Sequence, residues 1–256
     1  MTTELVHLDV AGGVATATLD SPANRNALSG NLCAQLLAHL RTAIVDPGVR
    51  VIVLTHTGTV FCAGADLKES AEQKVRTASD FAAILDTLWT SPTPVIVRLD
   101  GTARAGGLGL VAASDFAVAA TTVTFAFTEV RIGVIPAVIS VPLRRKIITH
   151  QLERLFLTGE TFDAPTAERI GLLTSAACPE AVVDAVAALA ADLVRCAPEA
   201  WRATKELLRG ADSSIASELS AMADLSRKYF ASDEAREGIA ALTERRTPAW
   251  VPADSI

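Results

Sequence analysis

Two apolar runs, "VRVIVLTHTG" at 49–58 and "TPVIVRLDG" at 93–101, constrain this chain more than any other feature. Neither alternates apolar with polar residues. A short run of that kind, rich in β-branched residues, reads as a strand buried on both faces. Each leads into a glycine-bearing loop, "FCAGAD" at 61–66 and "GTARAGGLG" at 101–109. The chain must therefore build a sheet covered on both sides and turn sharply at its edge.

The neighbouring segments supply the cover. "LVHLDV" and "VATATL" flank "AGG" and read as a β-hairpin. After "SPANRNAL" the residues Leu32, Leu36, Leu37, Leu40 and Ile44 recur at helical spacing, with Ser29 as N-cap. Residues 59–79 read as loop, and a helix is expected from Phe81 to Trp89, stopped by "SPTP". The second glycine loop opens a helix, and "FAVAATTVTFAF" reads as one strand. "HQLERLFLTG" is a helix capped by Gly159, and "DAPTAERIG" a short one capped by Asp163. Strand and helix alternate over roughly the first three quarters, and helices alone follow. This is an α/β chain. We divide it into a core at 1–192 and a helical segment at 193–256.

Composition removes several functions. A net charge of −6 offers no basic field for nucleic acid or anionic lipid. Four cysteines and four histidines are scattered without metal-ligand spacing, so no metal site or disulfide framework is expected and a reducing, cytoplasmic setting fits. No secretion signal opens the sequence, and the longest aliphatic run, "AVVDAVAALAADLV", is too short and too charged for a membrane span.

The glycine loops carry the chemistry. Glycine lets backbone N–H groups approach a ligand, and a loop that opens a helix adds the favourable end of its dipole. Two such loops facing each other would offer two donors to one oxygen that gains negative charge. Tight turning alone also explains glycine there. Neither loop has the GxGxxG or GxxxxGK[ST] pattern of a nucleotide site.

"SPANRNAL", "FCAGADLKE", "TPVIVRLDGTARAGG" and "FAFTEVRIGVIPA" follow one another in the order and spacing of the crotonase (enoyl-CoA hydratase/isomerase) superfamily, which the whole chain resembles. The resemblance implies a spiral of ββα units with a C-terminal helical trimerisation segment. It implies an acyl-CoA thioester as ligand, so coenzyme A arrives as part of the substrate and no separate cofactor is needed. By motif position the thioester oxygen would lie against the amides of Ala65 and Gly106, and Ala63, Asp66, Leu67 and Gly109 would line the substrate path. Arg25 and Lys68 resemble positions that meet the nucleotide phosphates. Hydratases of the family typically use two glutamates. The first falls at Gly109, where this chain has no acid, and the second falls twenty residues on, at Glu129. Apolar flanks would bury Glu129 and raise its pKa, and a salt bridge to Arg131 is the alternative.

Asp66 and Asp115 read as structural, Glu69 as solvated, and Glu237 in the tail as a reserve candidate acid. Arg104 is unusual beside the oxyanion glycines, where relatives more often have an apolar residue. The leading expectation is hydration or dehydration of a 2-enoyl-CoA by Glu129. The run "EVRIGVIPAVIS" also resembles the branch with bacterial 3-methylglutaconyl-CoA hydratases. Isomerisation of a 3-enoyl-CoA to its 2-enoyl form needs only one base and is the second reading. A non-catalytic acyl-CoA binder is the third. A homotrimer or a dimer of trimers is expected.

Overall fold

The computed structural model describes residues 3–209 and 215–251. Strands β1 (Val6–Ala11) and β2 (Val14–Leu19) form the expected hairpin. Gly12 and Gly13 take φ of 59° and 82°, the left-handed pair that matches the twist of a two-residue hairpin. Helix α1 (Gly30–Val45) starts where Ser29 accepts from the Leu32 N–H. It buries Leu32, Leu36, Leu37 and Leu40, while Ile44 is half-buried.

From there the chain repeats one step three times: a long strand, a short strand, then a helix or helical turn. The first repeat is β3 (Val51–His56), β4 (Val60–Cys62) and α2 (Ala71–Thr90). The second is β5 (Val95–Leu99), β6 (Thr102–Arg104) and α3 (Gly106–Ala113). The third is β7 (Phe116–Ala120), β8 (Thr124–Ala126), a 3-10 turn over Glu129–Ile132, and α4 (Ala137–Lys146). Long strands join one sheet and short strands another, which is a ββα spiral. With a later strand β10 (Ser175–Ala177), the main sheet runs β1-β2-β3-β5-β7-β10, parallel from β2 onward. Every residue of β3 is buried, as a central parallel strand requires. The second sheet runs β4-β6-β8-β9, with its first three strands parallel.

The remaining elements are α5 (Thr149–Thr158), β9 (Thr161–Asp163), α6 (Ala164–Arg169), β10 (Ser175–Ala177), α7 (Val182–Arg195), α8 (Pro198–Arg209), α9 (Ile215–Phe230) and α10 (Asp233–Glu244). Gly159 ends α5 at φ 60°, and Asp163 caps α6 by accepting from the Thr166 N–H at 2.9 Å. Helix α7 runs across the 192/193 boundary. Ile215, Leu219 and Ala223 of α9 belong to the same apolar core as β3 and β5.

Two expectations need correction, and one helix is new. Residues 59–79 are not a loop: they hold β4 and the first half of α2, which starts ten residues before Phe81. Ser70 and Gln73 form a capping box that the polar sequence "AEQKVRTASD" obscures. "FAVAATTVTFAF" is two strands in two sheets, divided by a turn in which Val123 N–H donates to Ala120 O at 2.9 Å. Helix α4, with Pro142 inside it, was not among the expected elements.

Candidate active site

Strands β4, β6 and β8 are adjacent and parallel, so the segments that follow them leave one sheet edge together. After β4 comes the loop of Ala63 to Lys68, after β6 come Ala105 and Gly106, and after β8 comes Glu129. Ligands of parallel sheets characteristically sit beyond the carboxyl ends of the strands.

The first two segments touch. A methyl group on Gly64 would lie 2.8 Å from Ala105 Cβ and 3.4 Å from Gly106 N. Gly64 itself takes φ 88°, so glycine is required there twice over. Its carbonyl accepts from Leu28 N–H at 2.8 Å, and its N–H donates to Cys62 Sγ at 3.4 Å. Cys62 packs beneath both loops, against Gly107, and burial pushes its thiol up to about 12. It is a neutral support. Ala105 holds a positive φ of 48° and donates to Ala126 O at 3.1 Å, which fixes the second loop to β8. Among the described residues, the amides of Ala65 and Gly106 donate to no protein group. Ala65 is exposed, and Gly106 N–H is the first amide of α3. These are two free donors on touching loops, one of them at a helix N-terminus.

Glu129 opens the 3-10 turn and is only 9% exposed. Its Oε2 is buried and accepts no hydrogen bond. An ionised carboxylate deprived of water and partners is costly, and burial raises its pKa to about 7. No salt bridge forms with Arg131, whose Nε donates instead to Thr158 O at 3.1 Å. A half-ionised carboxyl near neutral pH suits proton transfer in both directions.

Gly109 lies one turn along α3 from Gly106. A methyl group there would come 2.6 Å from Ile139 Cγ2 and 3.1 Å from Phe81 Cζ. The room that a first glutamate side chain needs is thus filled by apolar side chains from α4 and α2. Leu28 and Phe81 likewise press on Gly106. The sequence reading missed all three residues. Phe81 reads only as the start of a helix, and neither Leu28 nor Ile139 stands out in the sequence.

The other acids leave the chemistry. Glu69 accepts from Gly30 N–H at 2.7 Å and Thr77 Oγ1 at 2.9 Å, pinning α1 to α2, so it is not the solvated residue expected. Asp66 Oδ1 accepts from Lys68 N–H at 3.0 Å in a local turn. Asp115 binds Lys205 and Arg209, both at 2.8 Å. Glu237 pairs with Arg246 and accepts from Ala249 N–H, which pulls its pKa down to about 2. Arg104 spans β6 and β8, donating to Thr124 O at 2.6 Å and Thr124 Oγ1 at 3.0 Å, so it staples the second sheet. Arg25 and Lys68 are exposed, and among the described residues neither side chain has a protein partner. Leu67 is half-buried. Among the described residues no cluster of three or more His, Cys, Asp or Glu could hold a metal ion, and no helix is long and apolar enough to cross a membrane.

An α/β spiral thus carries two free amides on touching loops and, after the neighbouring strand, a buried carboxyl whose Oε2 has no partner. The sequence matches the enoyl-CoA hydratase/isomerase family over residues 9–252, and the chain belongs to that family, with the crotonase fold. A crystal structure of an enoyl-CoA hydratase from Mycobacterium avium is 43% identical at a TM-score of 0.88, covering 98% of this chain and 100% of that one. A Thermus thermophilus protein named as an enoyl-CoA hydratase is 34% identical over 245 residues, 93% of this chain and 97% of its own. The enoyl-CoA isomerase/hydratase of Mycosarcoma maydis is 32% identical over 251 residues, 92% of each chain.

Proposed function

We propose that the protein hydrates a 2-enoyl-CoA and dehydrates the product, with Glu129 as its single acid/base. The amides of Ala65 and Gly106 hold the thioester oxygen. The Glu129 carboxylate takes a proton from water as the water oxygen bonds to C3, and the C2–C3 π electrons move into the thioester to form an enolate. Protonated Glu129 then returns that proton to C2. Each preorganised amide contributes about 2.7–4 kcal/mol at the oxygen, where charge builds most in the transition state. The partnerless, buried Oε2 of Glu129 carries this reading. Arg25 and Lys68, exposed and unpaired with protein groups, suit the nucleotide phosphates of coenzyme A. The reading needs no separate cofactor and sets the protein in the cytoplasm.

A second reading, isomerisation of a 3-enoyl-CoA, draws support from the apolar Ile139 and Phe81 side chains packed on Gly109. A proton shuttle between C4 and C2 needs no water and no second carboxylate. The test is a panel of 2-enoyl-, 3-enoyl- and 3-methylglutaconyl-CoA with products weighed. A gain of water marks hydration, and a moved double bond at constant mass marks isomerisation. Binding without turnover marks a non-catalytic acyl-CoA binder and overturns both.

For assembly we propose a homotrimer or a dimer of trimers. Helix α8 fully buries no apolar residue within its own subunit and exposes Leu207 and Leu208 at 82% and 80%. A monodisperse monomer in sedimentation overturns this.

A further inference from the structure

No hydrogen bond fixes the Oε2 side of the Glu129 carboxyl, so its position follows from the backbone of the 3-10 turn that carries it. That backbone is gripped from outside by the last helix. A methyl group on Gly238 of α10 would lie 2.5 Å from the Ile132 carbonyl carbon and 2.6 Å from its oxygen. In the reverse sense, a methyl group on Gly133 would lie 2.5 Å from the Glu234 carbonyl carbon and 2.8 Å from Ala235 N. Two backbones thus meet at two points, each made possible by a glycine on one side. Ala235, Gly238 and Ala241, spaced by three, form the buried face of α10.

Glycine is a poor choice inside a helix, and close approach is what Gly238 supplies. Gly133 also takes φ 71°, and its N–H reaches Val130 O at 3.4 Å, so the turn closes on the residue that α10 presses. The helix is fixed at both ends. Ser232 accepts from Ala235 N–H at 3.1 Å, and Glu237 holds Arg246 and the Ala249 N–H. The turn is also held by Arg131, whose Nε donates to Thr158 O at 3.1 Å, and just before it Phe127 meets Phe156 edge-on at 4.7 Å.

We infer that α10 is the element that positions Glu129, with Gly238 and Gly133 as positioning residues that set how deeply the carboxyl is seated and how well water is kept from it. This rests on the proposed role of Glu129. Residues more than a hundred positions apart in sequence then act on one proton transfer. A displacement of about 1 Å at a reacting group costs on the order of a hundredfold in rate.

The test uses the full-length protein and the enoyl-CoA that the wild type converts. Gly238→Ala pushes the turn, and Ala235→Gly loosens the same contact without any clash. Arg236→Ala, on the exposed face of α10, is the control. Per folded molecule, kcat falls roughly ten- to hundredfold in both glycine-face variants while KM stays within about twofold. The apparent pKa of the acid limb also moves down, because a looser turn admits water to Glu129. Amide exchange across Val130–Val134, read without turnover, speeds up in Ala235→Gly. Unchanged kcat, pH profile and exchange in both variants overturn the inference, even if melting temperatures drop. Glu129→Gln separates the two layers. If it is inactive while both α10 variants match wild type, only the positioning role falls. If it is fully active, the assignment of Glu129 falls and the positioning role with it.

Discussion

Gly109 on α3 and Ile139 on α4 meet so closely that a single added carbon on the glycine would come 2.6 Å from Ile139 Cγ2. The absence of a carboxylate at position 109 is therefore built into the packing of two helices and is not a gap waiting to be filled. Gly109→Glu alone should destabilise by about 1–3 kcal/mol, the usual cost of overpacking, and by more if the carboxylate stays buried. Adding Ile139→Ala should recover part of that loss. A double-mutant cycle on chemical denaturation checks it: additive effects would mean Ile139 is not what occupies the space.

The same crowding applies to the loop proposed to hold the thioester oxygen. A methyl group on Gly106 would come 2.6 Å from Leu28 Cδ1, and Leu28 is buried. Gly106→Ala should therefore shift the first amide of α3 and lower kcat by on the order of 10², approaching the loss of one oxyanion donor. Affinity for a saturated acyl-CoA should fall much less, since that ligand develops no enolate charge. Leu28→Ala in the same chain should restore part of the rate. Equal losses in rate and affinity would place the thioester oxygen away from this amide.

Much of this arrangement was legible from local chemistry. The apolar runs, the Ser29 cap on α1, Gly159 and Asp163 each report a requirement satisfied within a few residues, so their elements stand where expected. The four motifs located the two loops and Glu129 because their order along the chain is the order of adjacent strands at one edge. What stayed hidden depends on contacts distant in sequence. Glu69 looks solvated until α1 and α2 are brought together around it. Arg104 has no local reason until β8 lies beside β6. The polar first half of α2 lacks an apolar stripe, and its Ser70–Gln73 capping box emerges only once the helix is seen. The hold of α10 on the Glu129 turn joins backbones that no periodicity relates.

Asp115 shows how a residue read as structural can be measured as such. Its carboxylate sits at the start of β7, accepts from Val95 N–H at 2.9 Å, and pairs with Lys205 and Arg209 of α8. All three side chains are largely buried, and Arg209 also stacks on Trp89 at 4.3 Å. Lys146 reaches the neighbouring Ser114 carbonyl, and burial pulls the amines of Lys146 and Lys205 down to about 8. Removing the one acid leaves buried cations uncompensated. Asp115→Asn should cost about 3–5 kcal/mol by denaturant titration, and protease should cut α8 sooner. A cost below about 1 kcal/mol would mean water already screens the cluster.

Glu129 gives the sharpest prediction, because its function and its stability cost pull in opposite directions. Its folded pKa, about 7, lies above the ordinary carboxylate value of 4.5. Between those values the folded protein binds more protons than the unfolded chain, so stability falls as pH rises through this window. Each unit is worth about 1.4 kcal/mol, so the ionised carboxyl costs the fold about 3 kcal/mol above pH 7. Glu129→Gln removes the charge and keeps the shape. Its stability relative to wild type should therefore be near zero change at pH 4.5, grow through the window, and level off at a gain approaching about 3 kcal/mol by pH 8. Its activity should move the other way, falling by roughly 10²–10⁴, the span of one general acid–base group. Urea titrations at a series of pH values and steady-state rates on the same samples read both. A difference from wild type that is the same at pH 4.5 and 8 would show that Glu129 is hydrated in solution, and a variant that kept its rate would move the acid/base elsewhere.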